Sequence, residues 1–109
     1  MRRLLFPLLV FVTHHAFAGY SDSLELALKN AKADTVRLFL LDELVWEFLY
    51  SDMNKAENYS LEAISLSRSC DHPRFVARAH HTRATVFLQQ NKNDSAIAYF
   101  REAVRIYTG

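Results

Sequence analysis

The chain has 109 residues, half of them hydrophobic, with 13 basic and 12 acidic side chains and a formal net charge of +1. That length admits one domain at most, and the near-neutral balance lacks the basic footprint that nucleic-acid binding needs. The single cysteine, Cys70, cannot form an intrachain bridge, so any core must hold by packing alone.

The first eighteen residues, MRRLLFPLLVFVTHHAFA, have the layout of a secretory signal peptide. Arg2 and Arg3 form a positive start, Leu4 to Val12 is an apolar run broken only by Pro7, and Ala16-Phe17-Ala18 has the small-x-small form of a cleavage site. The run is too short for a hydrocarbon core that takes about 20 residues; an uncleaved anchor is the alternative. Removal of residues 1–18 predicts a periplasmic or secreted mature chain, residues 19–109, with 11 bases against 12 acids and no further membrane attachment. The remaining charge is polarised. Residues 19–66 carry nine acids and four bases, net −5, and residues 67–109 carry seven bases and three acids, net +4.

From Tyr20 to Thr108 there is no glycine and one proline, Pro73, which predicts an all-α fold. A short first helix within residues 19–33 is expected from Ser23 to Lys32, capped by Ser21 or Ser23 and presenting Leu24, Leu26 and Leu28. A second starts at the cap candidate Asp34 and carries Leu40, Leu44 and Phe48 at four-residue spacing beside Leu41 and Val45, with Asp42, Glu43 and Glu47 as its polar stripe. Leu38, Phe39, Trp46, Leu49 and Tyr50 lie outside that stripe and are expected to pack mostly against the neighbouring helices. A third helix, capped by Ser51 or Asp52, has Ala56, Ser60, Ala63 and Ser67 along one ridge. Asp71 or His72 caps a fourth that begins at Pro73 and sets Val76, His80, Ala84 and Phe87 on one face, with Ala77 and Leu88 beside it. Asn93 or Asp94 caps the last, where Ala96, Phe100, Ala103 and Tyr107 repeat the earlier spacing.

Ala56 and Ala63 recur forty residues later as Ala96 and Ala103, and Phe48 recurs 39 residues later as Phe87. Two helical hairpins of one design therefore follow each other, about residues 34–71 and 72–109. A ridge of small side chains suits a second helix wedged between its own partner and the next repeat, where leucine would push the axes apart.

Here the chain resembles the tetratricopeptide repeat family. The resemblance is carried by Leu44, Val45, Phe48, Ala56 and Ala63 in the first hairpin, and by Ala84, Phe87, Ala96, Tyr99, Phe100 and Ala103 in the second. It departs from the family in four places. Val45 is larger than the usual small residue, Arg83 stands where an apolar residue is expected, Ser60 replaces a bulky one, and the period of 40 exceeds the family's usual 34 or so. The resemblance implies two tetratricopeptide-like hairpins, a fragment of a right-handed α-solenoid, whose first helices line a groove for a protein or peptide partner. Counted along those helices, the groove candidates are Phe39, Asp42, Trp46 and Tyr50, then Arg78, His81, Thr85 and Gln89; the alternative for Trp46 is that it fills space against the first helix.

Long repeats behind a signal peptide also look like the extracytoplasmic sensory regions of bacterial signalling proteins such as histidine kinases. That gives the second functional expectation: an N-terminal sensor fragment acting as a dimerisation or ligand-sensing unit. Ile97, Val104 and Tyr107 follow the second hairpin's ridge with no later helix to cover them, so they are expected either to meet another copy or to mark the remnant of a longer protein.

No catalytic or cofactor pattern stands out. Adjacent His80 and His81 do not make the i, i+4 pair that suits a metal, the Cys70-Asp71-His72 run has no evident fourth ligand, and glycine-rich phosphate loops and nucleophile motifs are missing. The expectation is a binding scaffold without metal, cofactor or catalysis.

Overall fold

The computed structural model describes residues 19–109, so the leader expected over residues 1–18 lies outside the described residues. Every regular element described is a helix. They are α1 (19–30), α2 (Asp34–Phe48), α3 (Met53–Ser69), α4 (Pro73–Gln89) and α5 (Asn93–Thr108). Helix α2 packs on α3, α3 on α4 and α4 on α5, and α2 also lies beside α4. These are the two successive hairpins expected from the forty-residue repeat. No described helix is long and apolar enough to cross a membrane.

The helix starts follow the local chemistry, with three corrections. Asp52 caps α3, its Oδ1 accepting from the Lys55 amide at 3.2 Å. His72 caps α4, its Nδ1 accepting from the Arg74 amide at 3.2 Å just ahead of Pro73. Asp34, however, is the first residue inside α2, behind Ala33, and Asn93 and Asp94 lie inside α5, behind Lys92; neither helix has a side-chain cap. The two aspartates act there through the positive end of the helix dipole instead. Ser21 and Ser23 fall within α1, and the Ser23 hydroxyl donates back to the Gly19 carbonyl at 2.7 Å. Between α4 and α5, Asn91 takes a φ of 61°, a left-handed conformation asparagine tolerates. The Lys92 amide then donates to the Phe87 carbonyl at 2.9 Å, closing the end of α4.

The small ridge of α3 is buried along its whole length: Ala56, Ser60 and Ser67 are fully inaccessible and Ala63 nearly so. Its neighbours come from both sides. Val45 and Leu49 of α2 and Val86 of α4 meet over Ala56, and Leu38 and Leu41 of α2 and Ala79 of α4 meet over Ala63 with Ile64. Helix α3 thus presents little more than its backbone to the first helices of both repeats, as close helix packing requires. Ala96 and Ala103 are buried in α5 in the same manner.

Leu24 of α1 joins Leu40 and Leu44 over the other side of α2. Glu25 binds α1 to α3, accepting from the Tyr59 hydroxyl and from Lys55 Nζ at 3.3 Å. Burial, helped by the Glu25 carboxylate, pushes the Tyr59 phenol well above its usual range. Leu26 points outward and is 60 % exposed, against the expectation that it faces the core. Leu88 is likewise exposed on α4, and Val76 and His80 are only half-buried; the covered residues of that helix are Ala77, Ala79, Thr82, Arg83, Ala84 and Val86. Of the five extra apolar residues on α2, Leu38 and Leu49 are buried, while Phe39, Trp46 and Tyr50 are exposed.

Two of the departures from the repeat pattern explain each other. Arg83 is buried because Ser60 leaves the room that a bulky side chain would have taken. Its NH1 donates to Ser60 Oγ at 3.1 Å and its NH2 to Glu57 Oε1 at 3.2 Å, while the guanidinium lies 4.1 Å over the centre of the Phe87 ring. A hydrogen-bonded, stacked arginine therefore replaces an apolar contact between α3 and α4, offsetting the desolvation of its charge. The hydrogen bond from Arg83 holds the Glu57 carboxyl below the usual carboxylate range, helped by Gln90 and the nearby cations.

Two expected outcomes follow from this packing. Ala63→Leu should cost about 1–3 kcal/mol by overpacking the wedge, whereas Ala98→Leu, on the exposed side of α5, should change stability by no more than about 0.5 kcal/mol; urea unfolding of both variants measures the contrast. Because the Glu57 pKa is depressed on folding, its contribution is complete above the ordinary value of 4.5 and is lost as pH falls through the folded value. Glu57→Gln should therefore be less stable near neutrality and lose less stability on acidification below that value, as read from thermal midpoints across pH.

Candidate functional site

Because α3 is thin, α2 and α4 come close enough to form the two walls of one trough, with Ala63 of α3 at its floor. The trough has two cavities. One, of about 250 Å3, lies among Leu38, Phe39, Ala63, Phe75 and Ala79. The other, of about 370 Å3, lies among Trp46, His81 and Tyr107. Asp42, Arg78 and Thr82 line both cavities and join them.

The join is a polar cluster. Asp42 is 9 % exposed, although the sequence pattern places it on the polar stripe of α2. Its Oδ1 accepts from the buried Thr82 hydroxyl at 2.5 Å and its Oδ2 from Arg78 NH2 at 3.0 Å. Thr82 stands one residue past His81, the α4 equivalent of Asp42 at the 39-residue spacing of Phe48 and Phe87, so the pairing joins nearby levels of the two first helices. A carboxylate opposite a hydroxyl gives a charge-assisted hydrogen bond across the two walls. The Arg78 side chain remains half-exposed, so its other donors are open to the trough. Fixing one end of the guanidinium on Asp42 reduces the side-chain entropy a ligand contact would otherwise have to overcome.

Aromatic rings flank this cluster. Phe39 is 54 % exposed and Trp46 46 % exposed. Trp46 lines the second cavity. His81 meets the Phe100 ring edge-on at 5.3 Å between centres, which braces the α4 wall on α5. The structure thus brings Phe39, Asp42, Trp46, Arg78 and His81 of the expected groove residues into the two cavities. It leaves out Tyr50, at the far end of α2, and Thr85 and Gln89, farther along α4; the Thr85 hydroxyl donates to the His81 carbonyl at 3.1 Å. Tyr107, expected only as a self-association residue, also reaches the trough.

Thr35, Leu38, Ala63, Phe75, Ala79 and Thr82 were not among the groove candidates but line the first cavity. Phe75 and Thr82 were within reach of sequence reasoning, because they fall on the same α4 face as Arg78 at helical spacing. Ala63 was not, since a floor contributed by a third helix is a tertiary fact.

Among the described residues no group of three or more His, Cys, Asp or Glu side chains could hold a metal ion. A wider recess of about 480 Å3 beside the α3–α4 loop includes Cys70, Asp71, His72 and His80. Both imidazoles there are engaged through Nδ1, His72 as the α4 cap and His80 on the Val76 carbonyl at 2.8 Å. His80 also stacks on Tyr99.

Residues 77–108, most of the second hairpin, match the family model described as tetratricopeptide repeat. No curated protein and no solved structure matches the chain. The match supports a tetratricopeptide-repeat assignment and agrees with the all-α repeat architecture; repeats of this family generally mediate protein–protein interaction and are typically non-catalytic.

Asp42 should be the most sensitive polar position in the trough. Asp42→Ala leaves the buried Thr82 hydroxyl without its acceptor and should cost about 1–3 kcal/mol, a fall in Tm of roughly 4–8 °C per kcal/mol for a domain of this size. Asp42→Asn keeps an acceptor for Thr82 and should lose less; calorimetry of the two variants gives the ranking.

Proposed function

We propose that this chain is a non-catalytic binding scaffold whose α2/α4 trough holds a segment of a partner protein. The observation that carries the reading is the pair of joined cavities, in which exposed Phe39 and Trp46 flank the fixed Arg78–Asp42 pair. Aromatic side chains and arginine are the residue types that dominate binding energy at interfaces, and here they line a concave surface between rigid helices. The matching partner is an extended or helical peptide segment that places one apolar side chain in the cavity between Phe39 and Phe75. Its polar or acidic group would lie over the free donors of Arg78.

The leader-like residues 1–18 support a periplasmic or secreted location for this scaffold, with residues 19–109 as the mature, partner-binding part. N-terminal sequencing of the exported protein should begin at Gly19.

The binding reading is tested by selecting peptides from a displayed random library on the wild-type protein and measuring their affinity for a Trp46→Ala, Arg78→Ala variant. Selected peptides should lose at least about tenfold in Kd on the variant, and its helix content should be unchanged by circular dichroism. Equal affinity for both proteins would remove the trough as the binding site.

A further inference from the structure

We infer that this chain assembles head to tail with copies of itself, the outer face of α5 in one copy covering the outer face of α1 in the next. The first hairpin identifies the relevant face of α5. On α3, Glu57 and Ser60 hold Arg83 of α4, and Ile64 packs with Ala79 of α4. Forty residues on, the equivalent positions of α5 are Ile97, Phe100 and Val104, and the equivalent of fully buried Ser67 is Tyr107. Where α3 offers a carboxylate and hydroxyls to a buried arginine, α5 offers aliphatic and aromatic groups. Among the described helices α5 packs only on α4, so Ile97 remains 48 % exposed and Val104 and Tyr107 60 % exposed.

Charge selects what covers this face. Arg101 lies exposed between Ile97 and Val104 and makes no ion pair among the described residues, whereas Arg105 is held by Glu102 on its own helix. The region from residue 67 onward carries net +4 and residues 19–66 carry net −5; with the internal pairs Arg78–Asp42 and Arg83–Glu57 set aside, +2 and −3 remain. Two α5 faces brought together would juxtapose two copies of Arg101 with no acid supplied to either beyond α5's own. An α5 face on α1 instead brings Arg101 toward Asp22, Glu43 and Glu47. Among the described residues that end also exposes apolar groups of its own, Leu26 and the Tyr20 ring, with the Tyr20 hydroxyl donating to Glu43 at 3.3 Å. Helix α1 is fixed to α2 and α3 while α5 is fixed to α4, so the two faces stand at opposite ends of the helix series and the same contact can repeat. Such a heterologous contact does not use itself up; it grows by addition of copies.

The experiment uses the mature chain proposed above, residues 19–109, in three forms: wild type, a tail variant Ile97→Asp, Val104→Asp, and a head variant Leu26→Gln, Ala27→Gln. Sedimentation velocity of wild type between ~1 and ~100 μM should show progressive growth. The growth should be weaker at ~0.5 M than at ~0.05 M salt, because screening reduces the attraction between exposed charges. Each variant alone should stay monomeric with an unchanged helical spectrum, and an equimolar mixture should form a one-to-one dimer that grows no further. A monomeric wild type would overturn the inference and assign the α5 face to a different protein segment. Dimers of the head variant alone would overturn it in favour of α5 against α5. Trough variants Trp46→Ala and Arg78→Ala should assemble as wild type does, so failure of the assembly inference and failure of the binding reading are separable.

Discussion

The narrowness of α3 is the constraint on which the other features rest. Ala56, Ser60, Ala63 and Ser67 keep their helix slim enough that Val45 and Leu41 on one side and Val86 and Ala79 on the other belong to continuous clusters. Larger side chains there would separate the two hairpins, and each hairpin by itself has too little apolar surface to form a core. The trough also depends on this spacing. Asp42 reaches Thr82 and Arg78 only because the backbones of α2 and α4 stand one thin helix apart.

Stability without disulfides is obtained from polar contacts placed between elements rather than within them. Glu25 joins α1 to α3, Asp42 joins α2 to α4, and Glu57 with Ser60 joins α3 to α4 through Arg83. In each case the acid belongs to the N-terminal, acidic part of the chain. For the last two the cation comes from the basic part, so the charge polarity that was visible along the sequence is partly an internal clamp. At the two ends of the helix series the exposed groups include Leu26 and Asp22 on one side and Val104 and Arg101 on the other.

The trough and the α5 face have different physical characters. The trough is preorganised: its arginine is anchored, its histidine is braced on Phe100, and its floor is an alanine on a packed helix. Binding there would freeze few groups, which favours affinity for a small contact. The α5 face is a row of separate exposed apolar side chains around Arg101, which makes no ion pair among the described residues, and it gains only when a complementary surface covers all of it at once.

Much of this architecture was legible in the order of residues. The lack of glycine between Tyr20 and Thr108 and the single proline there, Pro73, determine an all-helical stretch, and the recurrence of Ala56 and Ala63 as Ala96 and Ala103 determines two similar hairpins, because burial on a helix repeats with its turn. Once the family resemblance marks the first helices as groove walls, counting along them gives Phe39, Asp42, Trp46, Arg78 and His81, together with Tyr50, Thr85 and Gln89, which line neither cavity. The sequence misplaced the caps at Asp34 and Asn93 because a one-residue shift costs little when an acid in the first turn also suits the helix dipole. It could not show that Arg83 and Ser60 compensate each other, that Asp42 is buried, or that Ala63 floors a cavity. Those facts depend on which residues face each other across helices, and only the tertiary structure decides that, because one slim interface brings together side chains tens of residues apart.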